Sequence, residues 1–240
     1  MKADVLVAEI GSTTTLINAF CGIRSGEPKF IGQGQAPTSV LEGDVRIGLN
    51  GAIEDLKANL GADKIEYGEM LATSSAAGGL RMCVHGLVYD MTVKAAEAAA
   101  LGAGAIVTMA TAGKLSEYDI EDLKEAKPNL ILLAGGTDYG EKETALFNAR
   151  MIAASGVKAP VIYAGNVQNK RAVEDIFQKA GISCTVTENV YPKLDKLNIE
   201  PARKIIHQVF EEHIIKAPGM EHIRDMVTGH IMPTPGAVME

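Results

Sequence analysis

The chain has 240 residues, 47% of them hydrophobic, and a formal net charge of −7 with acidic and basic side chains interspersed. Such a length and apolar fraction suffice for one large buried core or two modest ones, and the charge pattern lacks the basic stripe that grips a nucleic-acid backbone. No apolar run approaches the roughly 20 residues that span a bilayer, and Lys2 and Asp4 precede only a short strand, so a cytoplasmic protein without nucleic-acid or membrane partners is expected.

The first predicted element is an apolar strand, Val5–Ile10, which carries Glu9 to its C-terminal end. Gly11 lets the backbone turn close to a ligand, and Ser12, Thr13 and Thr14 offer hydroxyls and N–H groups to anionic oxygens. A carboxylate beside such a cradle can hold Mg²⁺ through water. The same residues suit a Thr-rich turn of a half-buried hairpin, because Thr15–Phe20 is itself strand-like. Spacing alone leaves both readings open.

Next come a strand over Phe30–Gln33, an amphipathic helix over Ile47–Leu60 entered after Asp44 and left at Gly61, and a strand over Glu69–Thr73. The small-residue segment Ser74, Ser75, Ala76, Ala77, Gly78, Gly79, Leu80 suits a loop touching a ligand or another backbone. Arg81 beyond it has the fork geometry for a phosphate or for a salt bridge. Met91–Leu101 is Ala-rich and helix-favouring, and a strand over Ala105–Ala110 follows. Two regular βα units come after that. The strand Leu130–Ala134 runs through Gly135, Gly136, Thr137 and Asp138 into a helix over Lys142–Ser155, and the strand Val161–Ala164 leads into a helix over Lys170–Ala180. Loops at the C-terminal ends of parallel strands are where open α/β sheets bind ligands. The backbone of the Gly135–Asp138 loop suits an anion, and Asp138 is either a ligand contact or the cap of the following helix. A strand over Ser183–Thr187, a helix over Pro201–Ile215 and a shorter helix over Met220–Val227 complete the pattern.

Helices alternating with strands predict an α/β protein with a parallel sheet. Residues 1–70 are expected to form a hairpin-led segment, 71–205 an α/β lobe inserted into it, and 206–240 a helical return segment. Cys21, Cys83 and Cys184 are widely spaced and set among apolar residues, which fits reduced thiols. The five histidines are dispersed without metal-ligand spacing, and no Asp-x-His-x-x-Gly pattern for direct cobalamin binding is present.

Three segments, Ala8–Thr15, Thr73–Met82 and Leu132–Asp138, together with Ala95–Gly104, resemble the MutL/GlmL family. That family is encoded beside coenzyme-B12-dependent glutamate mutase and related aminomutases and belongs to the sugar kinase, Hsp70 and actin superfamily of ATPases. The resemblance implies a ribonuclease-H-like, actin-type ATPase subdomain with an inserted parallel α/β lobe, and an ATP-dependent reactivating chaperone whose partner is a B12-dependent mutase subunit. It assigns ATP to Gly11, Ser12, Thr13 and Thr14, and Mg²⁺ through water to Glu9, which would also be the catalytic carboxylate. Ser74, Ser75, Gly78, Gly79, Arg81 and Gly135–Asp138 would be ligand or interlobe loops. The superfamily usually has Asp where this chain has Glu9, and the extra methylene moves the carboxylate roughly 1.5 Å. An Asp-x-Gly-Gly-x-Thr hairpin of the opposing lobe is absent from the sequence. The chain therefore reads as the N-terminal half of such an ATPase, competent only with a C-terminal half or second chain. Two other readings stand beside this one: a non-catalytic module that docks on a mutase subunit, and a small-molecule-binding protein using the Gly135–Asp138 loop.

Overall fold

The computed structural model describes residues 1–39, 42–75, 80–215 and 219–239. They divide into two compact units, Met1–Gly79 with Val209–Glu240, and Leu80–Gln208. The divisions fall at 79/80 and 208/209, where the sequence suggested 70/71 and 205/206. The first boundary moves because the strand after the first helix runs on through Ser74 in the first unit's sheet.

The first unit is built from β1 (Lys2–Ile10), β2 (Thr14–Cys21), β3 (Lys29–Pro37), α1 (Val45–Leu60), β4 (Glu66–Ser74), β10 (Ile231–Pro233) and α7 (Thr234–Met239). Its sheet has the order β10-β4-β1-β2-β3. β2 runs antiparallel to both neighbours, whereas β4 pairs parallel with β1 and with β10. Alternation along β1 and β2 buries Leu6, Ala8, Ile10, Ile17 and Ala19 on one face of the sheet. In α1 the 3.6-residue period gathers Val45, Leu49, Ala52 and Leu56 into one buried stripe.

Glycines bring α1 close to the sheet. A Cβ on Gly34 of β3 would lie 2.1 Å from the Ala52 carbonyl oxygen and 2.3 Å from the Leu56 nitrogen, and one on Gly48 of α1 would lie 2.6 Å from the Pro37 carbonyl oxygen. Asp44 caps α1 by accepting from the Arg46 N–H, and the Arg46 guanidinium, 2.6 Å from its carboxylate, holds the Asp44 pKa at about 2. Gly61 closes the helix in the left-handed conformation. The segment expected to be helical over Met220–Val227 is only a 3-10 turn, Met220–Ile223.

The second unit contains β5 (Arg81–Gly86), α2 (Lys94–Gly102), β6 (Ile106–Ala112), α3 (Glu117–Ala126), β7 (Leu130–Leu133), α4 (Glu143–Ala154), β8 (Val161–Tyr163), α5 (Lys170–Lys179) and β9 (Cys184–Val186). α6 (Glu200–Ile215) carries the chain across the division. All strand pairs of this unit are parallel, in the order β6-β5-β7-β8-β9. The sheet winds outward in both directions from the β5/β7 pair, and its connecting loops lie at the strand C-termini. Strand β5 and helix α3 were not anticipated, and the predicted helix over Met91–Leu101 begins instead as a π-helical turn, Tyr89–Val93. A capping box between Ser116 and Asp119 starts α3. The three cysteines are free.

His85 on β5 is fully buried. Its Nδ1 lies 2.6 Å from Thr111 Oγ1, and its Nε2 has no partner among the described residues. Burial pushes its pKa down to about 4, only partly offset by Asp119. The unfolded chain therefore takes up a proton near pH 6.5 that the folded unit refuses until about pH 4.

Two outcomes follow. Stability of the second unit is complete above pH 6.5 and falls by about 3 kcal/mol as pH drops towards 4, at about 1.4 kcal/mol per pH unit of displacement; hydrogen exchange of the β5 amides measures this loss, and His85→Asn flattens it. Gly34→Ala forces α1 off the sheet and destabilises the first unit by about 3 kcal/mol, read as a lowered denaturation midpoint.

Candidate functional site

The hairpin joining β1 to β2 is held by one tight turn. The Gly11 N–H donates to the Thr14 carbonyl oxygen at 3.0 Å, and a Cβ at Gly11 would lie 2.7 Å from that same oxygen. Glycine is therefore required by close approach. Ser12, Thr13 and Thr14 are exposed. The Thr13 carbonyl accepts from the Thr38 N–H, and Thr15 and Thr38 share a hydroxyl hydrogen bond of 2.9 Å, which anchors the turn to the end of β3. Among the described residues, the Ser12 and Thr13 N–H groups donate to no protein acceptor. The hairpin thus presents two backbone donors and three hydroxyls.

Register brings further residues to the same sheet edge. In the parallel β1/β4 ladder Glu9 pairs with Thr73 and Ile10 with Ser74. The Ile10 carbonyl accepts from both the Ser75 N–H, at 2.9 Å, and the Ser74 hydroxyl. Across β4, Thr73 pairs with Met232, and its hydroxyl accepts from Thr234 at 3.3 Å. Glu9 is half-buried and makes no side-chain ion pair among the described residues. One edge of the first unit therefore collects Glu9, Gly11 to Thr14, Ser74 and Ser75. Gly78 and Gly79 lie outside the described residues.

The remaining sequence-predicted residues belong to the second unit, where they fall into two places. Arg81 opens β5, whereas Gly135 to Asp138 follow the C-terminal end of β7, which runs parallel beside it. At about 3.3 Å per residue, these are opposite edges of one sheet. Arg81 is exposed and forms no ion pair among the described residues.

The Gly135–Asp138 loop is largely occupied by side chains of its own unit. Asp138 does not cap α4, whose N-cap is Lys142. Its Oδ1 accepts instead from the Val167 N–H at 2.9 Å and from Asn189 Nδ2 at 3.0 Å. Glu141 takes over the capping task by accepting from both the N–H and the hydroxyl of Thr144. Asn166, fully buried, accepts from Tyr139 and Gln168 and donates to the Gly140 and Glu141 carbonyls. Asn189 also donates to the Gly136 carbonyl. The Tyr163 hydroxyl donates to the Asn166 carbonyl, and burial pushes its pKa up. Asn166, Asn189 and Glu141 were not singled out from sequence; an Asn after each of the β8 and β9 strands was the available signal.

The sequence matches the MutL protein family over residues 5–240. It is 46% identical over 202 residues to Protein MutL of Clostridium tetanomorphum, an alignment that covers 84% of this chain and 44% of that protein. The chain thus spans less than half the length of this curated relative. A solved structure, the Acidaminococcus fermentans (R)-2-hydroxyglutaryl-CoA dehydratase component A, is 12% identical, with 76% of this chain and 90% of that chain covered at a TM-score of 0.22. A score so low has no bearing on the fold, which rests on its own strand order.

Asn166→Ala leaves two N–H groups and two carbonyls unpaired beside a buried site. We expect it to lower the stability of the second unit by about 3 kcal/mol in denaturant titration, and to increase protease cutting after Lys142.

Proposed function

The chain belongs to the MutL protein family, and from that premise we propose that it carries the first phosphate-binding half of an ATP-dependent reactivating factor serving a coenzyme-B12-dependent glutamate mutase or related aminomutase. The observation that carries the reading is the β1/β2 hairpin, with its tight Gly11 turn, undonated Ser12 and Thr13 N–H groups and exposed hydroxyls at the C-terminal end of a strand flanked by a parallel neighbour. The strand order, with the second strand antiparallel to the rest, supports a ribonuclease-H-like subdomain of the actin-type ATPases. On this reading the parallel α/β unit is an insertion between β4 and β10.

ATP and Mg²⁺ fit these residues in kind. Anionic oxygens suit a turn whose backbone donors point to no internal acceptor. Among the described residues no group of three His, Cys, Asp or Glu side chains gathers for a metal, so Mg²⁺ at the hairpin would rest on Glu9, phosphate oxygens and water. Gly11 shapes the turn, Ser12, Thr13 and Thr14 would hold the phosphates, and Glu9 would hold the cation through water. Magnesium supplies charge neutralisation to the phosphates when bound. Hydrolysis would require groups beyond those of the hairpin.

Calorimetric titration of the chain with ATP, with and without Mg²⁺, tests the proposal. We expect millimolar-range affinity that falls at least tenfold in Thr13→Ala and in Gly11→Val. Glu9→Ala abolishes only the increment that Mg²⁺ adds. Equal binding by wild type and all three variants refutes the hairpin as the site.

A further inference from the structure

Alternation along the first unit's sheet sorts the residues at the edge that carries the Gly11 turn into two rows. Ile10, Ser74 and Pro233 are paired across β1, β4 and β10 and are buried, whereas Glu9, Thr73 and Met232 form the row on the opposite face and are half-buried. On the β2 side Glu9 pairs with Leu16, which is apolar. Its polar neighbour in that row is therefore Thr73, on a strand about 4.8 Å away. Thr234 follows two residues beyond Met232 and donates its hydroxyl to Thr73 Oγ1 at 3.3 Å.

Two groups with unused bonding capacity thus stand side by side. The Glu9 carboxylate makes neither a hydrogen bond nor an ion pair among the described residues. Thr73 Oγ1, already accepting from Thr234, keeps its own hydrogen and gives it to no acceptor among the described residues. A hydroxyl donating to an ionised carboxylate makes one of the stronger hydrogen bonds. Glutamate also reaches one methylene, roughly 1.5 Å, farther than aspartate and turns about one more bond, so its carboxylate wanders unless a neighbour fixes it.

We propose that Thr73, oriented by Thr234, is a positioning residue for Glu9 in the nucleotide site: its hydroxyl hydrogen holds one carboxylate oxygen and leaves the other for water on the cation. The inference rests on the function proposed above. Neither hydroxyl takes part in bond making or breaking; the pair sets where the carboxylate points. A merely structural pair would tie the start of α7 to β4 and leave Glu9 unaffected.

The test is calorimetric titration of the chain with ATP, with and without Mg²⁺, beside thermal melting of each variant. Thr73→Val, which keeps the shape of the side chain, leaves the affinity for ATP alone unchanged and shrinks the increment that Mg²⁺ adds by about tenfold, the worth of a hydrogen bond to a charged group. Thr73→Ser restores the increment, and Thr234→Val, which removes the donor without altering the residue beside Glu9, lowers it by a smaller factor. Glu9→Asp lowers the increment by itself, and adding Thr73→Val to Glu9→Asp costs nothing further, because the shortened carboxylate no longer meets the hydroxyl. If the wild type gains from Mg²⁺ and Thr73→Val gains equally while melting lower, the pair is a structural tie and the positioning role is refuted, with the hairpin site intact. If the wild type binds no ATP, or gains nothing from Mg²⁺, the hairpin reading itself falls and the role of Thr73 falls with it.

Discussion

Strand β4 is the member on which the first unit depends. One of its edges is laid parallel to β1 from Glu66 to Ser74, and its other edge receives β10 through Ala72, Thr73 and Ser74. Parallel neighbours cannot be joined by a tight turn and need a long crossover. Helix α1 makes the crossover from the hairpin to β4, and the whole second unit intervenes between β4 and β10. Met70 is clamped at both backbone groups by Thr228, and Thr73 is reached by Thr234. Because β1, β4 and β10 all run the same way, the ends of these strands share one edge with the Gly11 turn, which gathers Glu9 to Thr14, Thr73 to Ser75 and Thr234 from three distant stretches of sequence.

The two glycine-bearing loops use their backbone in opposite ways. At the hairpin, one hydrogen bond from Gly11 to Thr14 fixes the turn and leaves the next two N–H groups undonated. In the loop after β7, buried side-chain amides from two other loops meet the Gly136, Gly140 and Glu141 carbonyls and the Tyr139 N–H. Unpaired buried polar groups are costly, while pairing them locally yields rigidity. An open cradle and a closed scaffold therefore arise from similar glycine-rich sequences, and the difference lies in Asn166 and Asn189 rather than in the glycines.

Much of this was legible before the fold was known. Alternation in Val5–Ile10 and Thr15–Phe20, together with Asp44 and Gly61 as end signals, places the hairpin and α1 within a few residues. The βα repeats after Leu130 are equally plain, because uninterrupted Leu130–Leu133 is buried on both faces of a parallel sheet. Strand β5 escaped notice since Met82, Cys83, Val84 and His85 show no alternation and directly follow a glycine-rich loop. β10 is three residues long and contains a proline, so only its pairing with β4 reveals it. The role of Asp138 was out of reach for a different reason: its partner Asn189 lies 51 residues away, and no local pattern encodes a contact of that span.

The split arrangement of the first unit also has a consequence for synthesis. Thr228 must find Met70 across 158 residues of sequence, so at about 5–20 residues per second the ribosome delivers the closing strand roughly ten to thirty seconds after β4 emerges. During that interval β4 presents an unpaired edge, while the contiguous second unit has everything it needs to fold. Nascent chains stalled before Ile231 would thus hold a finished second unit and an open first sheet, the state in which a chaperone that recognises strand edges has most to gain.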